Sequence, residues 1–239
     1  MINNHSLNLL RERVMKKYLL CGLVFLSSGY IYADGHSSAE ASKKHENNFA
    51  YLSTYTIPAG SNPATLEKSL LRNVQDLKDE GYNNCGLLRH AFGGDRAFYS
   101  YCYFDSWEQF AEINDNVTNA DVRQLYGDHE DRLVAVDEKN LGPSKYIVMA
   151  TYSFGPYLTM AERGERAKIL FDIYDEGFGG CNMMSHVWGP GLEWQIVCGF
   201  DSYADFAKKN AALAPLIEPI TTQKLDILSH SDDIMVRFQ

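Results

Sequence analysis

The sequence predicts an α+β protein built from two tandem βαββαβ units, and three observations carry that prediction. One segment occurs twice: DEGYNNCGLLRHAFGGDRAFYSYCYFDSWEQFA from Asp79 and DEGFGGCNMMSHVWGPGLEWQIVCGFDSYADFA from Asp175 align without a gap at an offset of 96. Twelve of the 33 aligned positions are identical, where composition alone gives about two. The identities fall on two cysteines, one histidine, turn glycines and the Phe-Asp-Ser of a helix start, so the repeated unit is a folded module. A chain of 239 residues accommodates two such modules, and a period this long exceeds that of a solenoid repeat.

Each element follows from local pattern. Phe49 to Ile57 is rich in β-branched and aromatic residues and ends at Pro58, which reads as a strand. The run from Ser61 to Thr65 opens a helix that carries Leu66, Leu70, Leu71, Val74 and Leu77 at helical spacing and stops at Gly81. Cys85 to Phe92 and Ala97 to Phe104 flank Gly93-Gly94 as a hairpin. Asp105-Ser106 caps a helix with Trp107, Phe110 and Ile113, and Leu133 to Val136 is the closing strand. The second unit repeats this order: strand Tyr146 to Phe154, helix Ala161 to Tyr174 stopped by Gly177, and hairpin strands Cys181 to Trp188 and Leu192 to Phe200. A helix capped by Asp201-Ser202 and a closing strand Ile234 to Phe238 complete it. Residues 49–136 and 145–239 are therefore the two expected domains, joined through the polar segment Asp137 to Ser144 with its Gly142-Pro143 breaker. Their βαββαβ order is the split-βαβ, ferredoxin-like pattern.

Ahead of them, two lysines after Met15 precede a short apolar run, small polar residues and Ile31-Tyr32-Ala33. This is the layout of a secretory signal peptide over residues 1–33, with an upstream extension before Met15 and cleavage after Ala33. Residues 34–48 read as a flexible leader. The expected location is periplasmic or secreted, with no stable membrane insertion after cleavage. A net charge of −9 and the lack of a basic stripe set nucleic acid aside as a partner.

An oxidising compartment leaves four cysteines once Cys21 is removed with the signal. A two-residue turn at Gly93-Gly94 sets Cys85 directly opposite Cys102, and the same register around Gly189-Pro190 sets Cys181 opposite Cys198. Structural disulfides are the first reading. Buried thiols filling core space and redox or metal chemistry are the others.

His90 and His186 match between repeats, as do His129 and His230, and each of the latter two is followed two residues on by a carboxylate, Asp131 or Asp232. A carboxylate beside an imidazole fixes its tautomer for acid–base work or ligation. The same pattern also suits core or turn histidines with one satisfied hydrogen bond. No HxxxH, HxH or CxxCH spacing occurs, so no metal site is assigned, and nucleophile-elbow, phosphate-loop, dinucleotide and zincin motifs are absent. By alternation His90, Phe92, Tyr99 and Tyr101 share one face of the first hairpin, with His186, Trp188, Gln195 and Val197 as counterparts. That face is either a ring-lined pocket or plain core. As a pocket it has no charged anchor and suits a flat, apolar ligand over a sugar phosphate or peptide.

Two ferredoxin-like units with central aromatic hairpins resemble the dimeric α/β-barrel superfamily, which includes antibiotic-biosynthesis-monooxygenase-like proteins and tandem haem proteins of the chlorite-dismutase type. The resemblance covers nearly all of Phe49 to Gln239 and rests on pattern. It implies two sheets packed face to face as a pseudo-dimer within one chain. It also implies closing strands that reach across, bringing His90 toward His230 and His186 toward His129. His90 and His186 are then the candidate bases or ligands, and Phe92, Tyr99, Tyr101, Trp188, His129 and His230 the candidate binding residues. The cofactor is unknown, since haem and cofactor-free oxygenation both occur in such a fold. The expected function is binding of a small apolar or aromatic molecule between the sheets, with monooxygenase-like activity as its catalytic form. A haem enzyme and a structural or interaction protein are the alternatives, and further assembly into a homo-oligomer is open to either. The hairpins diverge most at their tips, GGDRAFY against GPGLEWQ, which predicts that only one of the two clefts is functional.

Overall fold

Eight strands, each of them predicted, close on themselves in the computed structural model, which describes residues 45–115 and 126–238. The signal peptide and the leader up to residue 44 lie outside the described residues. In chain order the elements are β1 (Phe49–Thr56), α1 (Pro63–Asp79), β2 (Asn84–Gly93), β3 (Ala97–Phe104), α2 (Trp107–Asn114) and β4 (His129–Lys139). The second unit follows with β5 (Tyr146–Phe154), α3 (Met160–Phe178), β6 (Cys181–Trp188), β7 (Trp194–Phe200), α4 (Tyr203–Ile217), a short 3₁₀ turn (Glu218–Ile220) and β8 (Ile227–Arg237). The helices begin where side chains can satisfy free backbone donors. Asn62, Ser106 and Ser202 accept from Ala64, Gln109 and Asp205, and Thr159 forms a reciprocal capping box with Glu162.

Barrel order is β1-β3-β2-β8-β5-β7-β6-β4, closed by β4 on β1. The closing strands make this possible. β4 pairs with β1 of its own unit and β6 of the other, and β8 pairs with β5 and with β2. The two ferredoxin-like units thus form one intrachain α/β barrel, the architecture that the superfamily resemblance implies. Both closing strands are longer than expected, starting at His129 and Ile227 rather than Leu133 and Ile234. Their leading halves are polar and read as loop, yet the backbone there is paired with β1 or β5. His129 and His230 therefore lie within the strands, and the expected linker loses Asp137 to Lys139 to β4.

Three cores result, because every strand is covered on one side by helix and on the other by the opposing sheet. Under α1 and α2 lie Leu66, Leu70, Val74, Phe98, Phe104 and Ile113. Under α3 and α4 lie Leu170, Phe171, Trp194, Ile196, Phe200 and Leu213. The barrel interior holds Ala50, Leu88, Val134, Ile147, Met184, Val197 and Met235. Full burial of a side chain such as Phe98 or Phe200 contributes roughly 1.5–3 kcal/mol. Both disulfides form as the hairpin register predicts, Cys85–Cys102 with Cα atoms 4.0 Å apart and Cys181–Cys198 with Cα atoms 4.3 Å apart. Each sits in a helix-covered core, away from the barrel interior.

Gly177 does not stop its helix. It lies inside α3, where a Cβ would collide with Leu213 of α4, so its role is close helix packing. The stop is Gly179, left-handed at φ 74°.

Candidate functional site

Strand alternation decides what reaches the barrel interior. On β3 it sends Tyr99, Tyr101 and Tyr103 inward, where the matching positions of β7 carry Gln195, Val197 and Gly199. All of these except Gly199 line a cavity of about 670 Å³ together with Leu52, Leu88, Ile147, Met149, Met184 and Met235. Of the two options for the predicted ring-bearing face, Tyr99 and Tyr101 take the pocket. Tyr101 lies across the ladder from Gly86, and a side chain at Gly86 would strike its ring and hydroxyl. Glycine there leaves the space that the ring occupies.

Phe92 and Trp188 do not join them. A β-bulge between His90 and Phe92, and another opposite His186 and Trp188, inserts one residue and reverses the alternation beyond it. Both rings end up exposed, Phe92 at 72% and Trp188 at 75%. The irregularity is not readable from a period-2 pattern.

The histidines are placed separately from one another. His90 pairs with Met235 and His186 with Val134, whereas His230 pairs with Tyr152 and His129 with Tyr55. His230 is thus five residues along β8 from the partner of His90, roughly 17 Å. His186 and His129 are displaced in the same way, so the expected approach of each pair does not occur. The carboxylate neighbours do form contacts: His129 Nε2 to Asp131 and His230 Nε2 to Asp232, each 3.1 Å. Asp131 also accepts from the hydroxyls of Tyr51 (2.9 Å) and Ser53 (2.6 Å). His129 stacks on Tyr55 with centroids 4.6 Å apart, and His230 on Tyr152 at 4.4 Å. None of the four histidines is among the residues lining the cavity. A haem held through one of them inside the barrel does not fit this arrangement. Nδ1 of His90 is buried with no hydrogen-bond partner among the described residues.

The cavity also corrects the expectation of an anchor-free cleft. Charged residues line it: Arg132, Lys139, Arg237, Asp95, Glu130, Glu193 and Asp233. Sequence reading missed most of them because they come from the closing strands, whose facing is set by the exchange between units. Arg237 donates from Nη1 to the Tyr101 hydroxyl (2.6 Å) and from Nε to the Ser144 carbonyl (3.2 Å). Asn182 Nδ2 lies 3.5 Å from the Tyr103 hydroxyl. At the other end Arg132 is held by Glu193 (2.7 Å) and Glu130 (3.2 Å), while Tyr99 donates to the Asp95 carbonyl (3.3 Å). Asp233 accepts from the Gly94 backbone N–H. Burial raises the Tyr103 phenol to about 12 and raises Tyr101 too, the latter opposed by Arg237. These hydroxyls are therefore protonated donors at neutral pH. Burial also raises the Asp233 carboxyl, opposed by the Gly94 hydrogen bond and the charge of His90.

A closed eight-stranded barrel of two ferredoxin-like units, with strands exchanged between them and a cavity inside, defines the dimeric α/β-barrel class. Solved structures with the same fold include a candidate monooxygenase of Fusobacterium nucleatum subsp. nucleatum, with a TM-score of 0.56 and 13% identity over 80% of this chain and 92% of that one. An anthrone oxidase-like protein matches at TM-score 0.56 and 9% identity over 81% of this chain and 92% of that one. A candidate monooxygenase of Lactobacillus acidophilus matches at 0.51 and 9% over 80% and 94%. At such identities the likeness is one of fold. No family model matches the sequence, and no curated protein does.

Proposed function

We propose that this protein binds one small molecule with a flat, largely apolar body inside the barrel. The observation that carries the reading is the 670 Å³ cavity, whose lining includes three tyrosines together with methionines and aliphatic side chains. Ligand pockets fall at roughly 300–1,000 Å³ with a mostly apolar lining and a few polar groups. The repeats differ at these positions, tyrosines in one and Gln195, Val197 and Gly199 in the other, which favours a single site per chain. The two disulfides suit the periplasmic or extracellular location expected of the leader, and no helix among the described residues is long and apolar enough to cross a membrane.

The test is titration with N-phenyl-1-naphthylamine, a neutral dye that brightens in apolar surroundings. Saturable binding near one per chain is expected. Val197→Trp, which puts an indole into the cavity, lowers the affinity about tenfold or more while the protein still folds. Unchanged binding by that variant would place the dye elsewhere and sink the reading.

The catalytic form of this proposal is cofactor-free oxygenation of the bound molecule, in which His90 and His186 do not serve as the base, since neither lines the cavity. The monooxygenase and anthrone oxidase-like names of proteins with this fold motivate it. Anthrone and dioxygen would give anthraquinone and water. Oxygen uptake above the buffer rate, lost in Val197→Trp, supports the enzyme. Uptake at the buffer rate leaves a binding protein.

A further inference from the structure

The barrel interior contains two guanidinium groups in opposite electrostatic situations. Arg132 is neutralised by Glu193 and Glu130. Arg237 has only neutral partners, the Tyr101 hydroxyl and the Ser144 carbonyl, and its guanidinium lies 5.8 Å from the Tyr101 ring centroid. Among the described residues no carboxylate lies within 4.0 Å of it. Lys139 is similar: its ammonium donates to the Glu46 carbonyl (2.7 Å) and the Asn48 amide oxygen (2.8 Å).

The charges in the cavity are thus segregated. Asp95 and Asp233 surround Tyr99 near the Arg132 pair. Arg237 and Lys139 stand with the protonated hydroxyls of Tyr101 and Tyr103 and the amide of Asn182. A guanidinium cannot shed its proton, and a half-buried charge without a counter-ion is costly. Duplication shows that the arrangement is particular to one cleft. HEDRLVAV aligned with HSDDIMVR puts Val136 at the position of Arg237, and Tyr101 is matched by Val197.

We infer that the molecule bound in the barrel is an organic anion, whose carboxylate, sulfonate or phenolate group is held by Arg237 and Tyr101 while its apolar body lies toward Met149 and Met184. This rests on the cavity-binding proposal and adds the ligand's charge and orientation. Arg237 and the tyrosine hydroxyl supply charge-assisted donors of the kind that carboxylates and sulfonates accept.

Two dyes with one body separate the claims: 8-anilino-1-naphthalenesulfonate, an anion, and N-phenyl-1-naphthylamine, which lacks the sulfonate. The full chain should bind the sulfonate roughly ten- to a hundredfold more tightly than the neutral dye. Arg237→Gln should abolish that preference and leave neutral-dye affinity within about twofold, while Arg237→Lys, which keeps the charge, retains part of it. Equal affinities for the two dyes, or an equal loss of both in Arg237→Gln with Arg237→Lys like the parent, overturn the anion assignment. If the neutral dye is still lost in Val197→Trp, cavity binding survives that failure. Absence of binding by both dyes, or binding of both unaffected by Val197→Trp, overturns cavity binding as well.

Discussion

A chain cut after Gly142, carrying only the first repeat, is expected to give no folded monomer. Its four strands do not form a self-sufficient sheet. β2 takes β8 of the other repeat as its outer neighbour, and β4 takes β6. Removing the second repeat leaves both edges unpaired and uncovers Ala50, Leu88, Val134 and Val136, which are at most 8% exposed in the barrel. Such a fragment should be largely unfolded or should pair with a second copy of itself, rebuilding the barrel by symmetry. Light scattering with circular dichroism on the fragment checks this. A cooperative folded monomer would mean that the strand exchange is not required for folding.

Replacing Cys85 and Cys102 together by serine is expected to cost about 3 kcal/mol, the chain-entropy value for a loop near this size, the two cysteines being 17 residues apart. Cys181→Ser with Cys198→Ser should cost a similar amount, since that pair closes an equal separation. The disulfides sit in different helix-covered cores, so the two losses should add and leave most of the population unfolded in mild urea. Because neither bridge borders the cavity, dye binding by the fraction that remains folded should persist. Urea denaturation of the oxidised parent and both double variants reads the effect. Losses below about 1 kcal/mol would show that the cores hold the hairpins without the bridges.

The sequence makes this fold readable because the repeat brings independent copies of each signal. Two hairpins agree on the Cys–Cys register, and two Ser-capped helices follow identical Phe-Asp-Ser segments. Tyr99 and Tyr101 were recoverable from simple alternation, because β3 is regular. Phe92 and Trp188 were misplaced because a bulge leaves no compositional trace, yet reverses every facing after it. The expected His90–His230 and His186–His129 approaches failed for a related reason. Exchange of the closing strand brings two units together without fixing how far that strand slides along its new neighbour. Arg132 and Arg237 were invisible as site residues since each belongs to a polar or mixed segment whose inward side exists only once the barrel closes.

The most direct measurement is a crystal structure of the protein with 8-anilino-1-naphthalenesulfonate bound. The expected result is one dye per chain inside the barrel, its rings between Tyr101 and Met149 and its sulfonate on Arg237. Dye found only outside the barrel, for instance in the groove of about 370 Å³ beside Tyr152 and Tyr174, with the interior unchanged, would contradict the account.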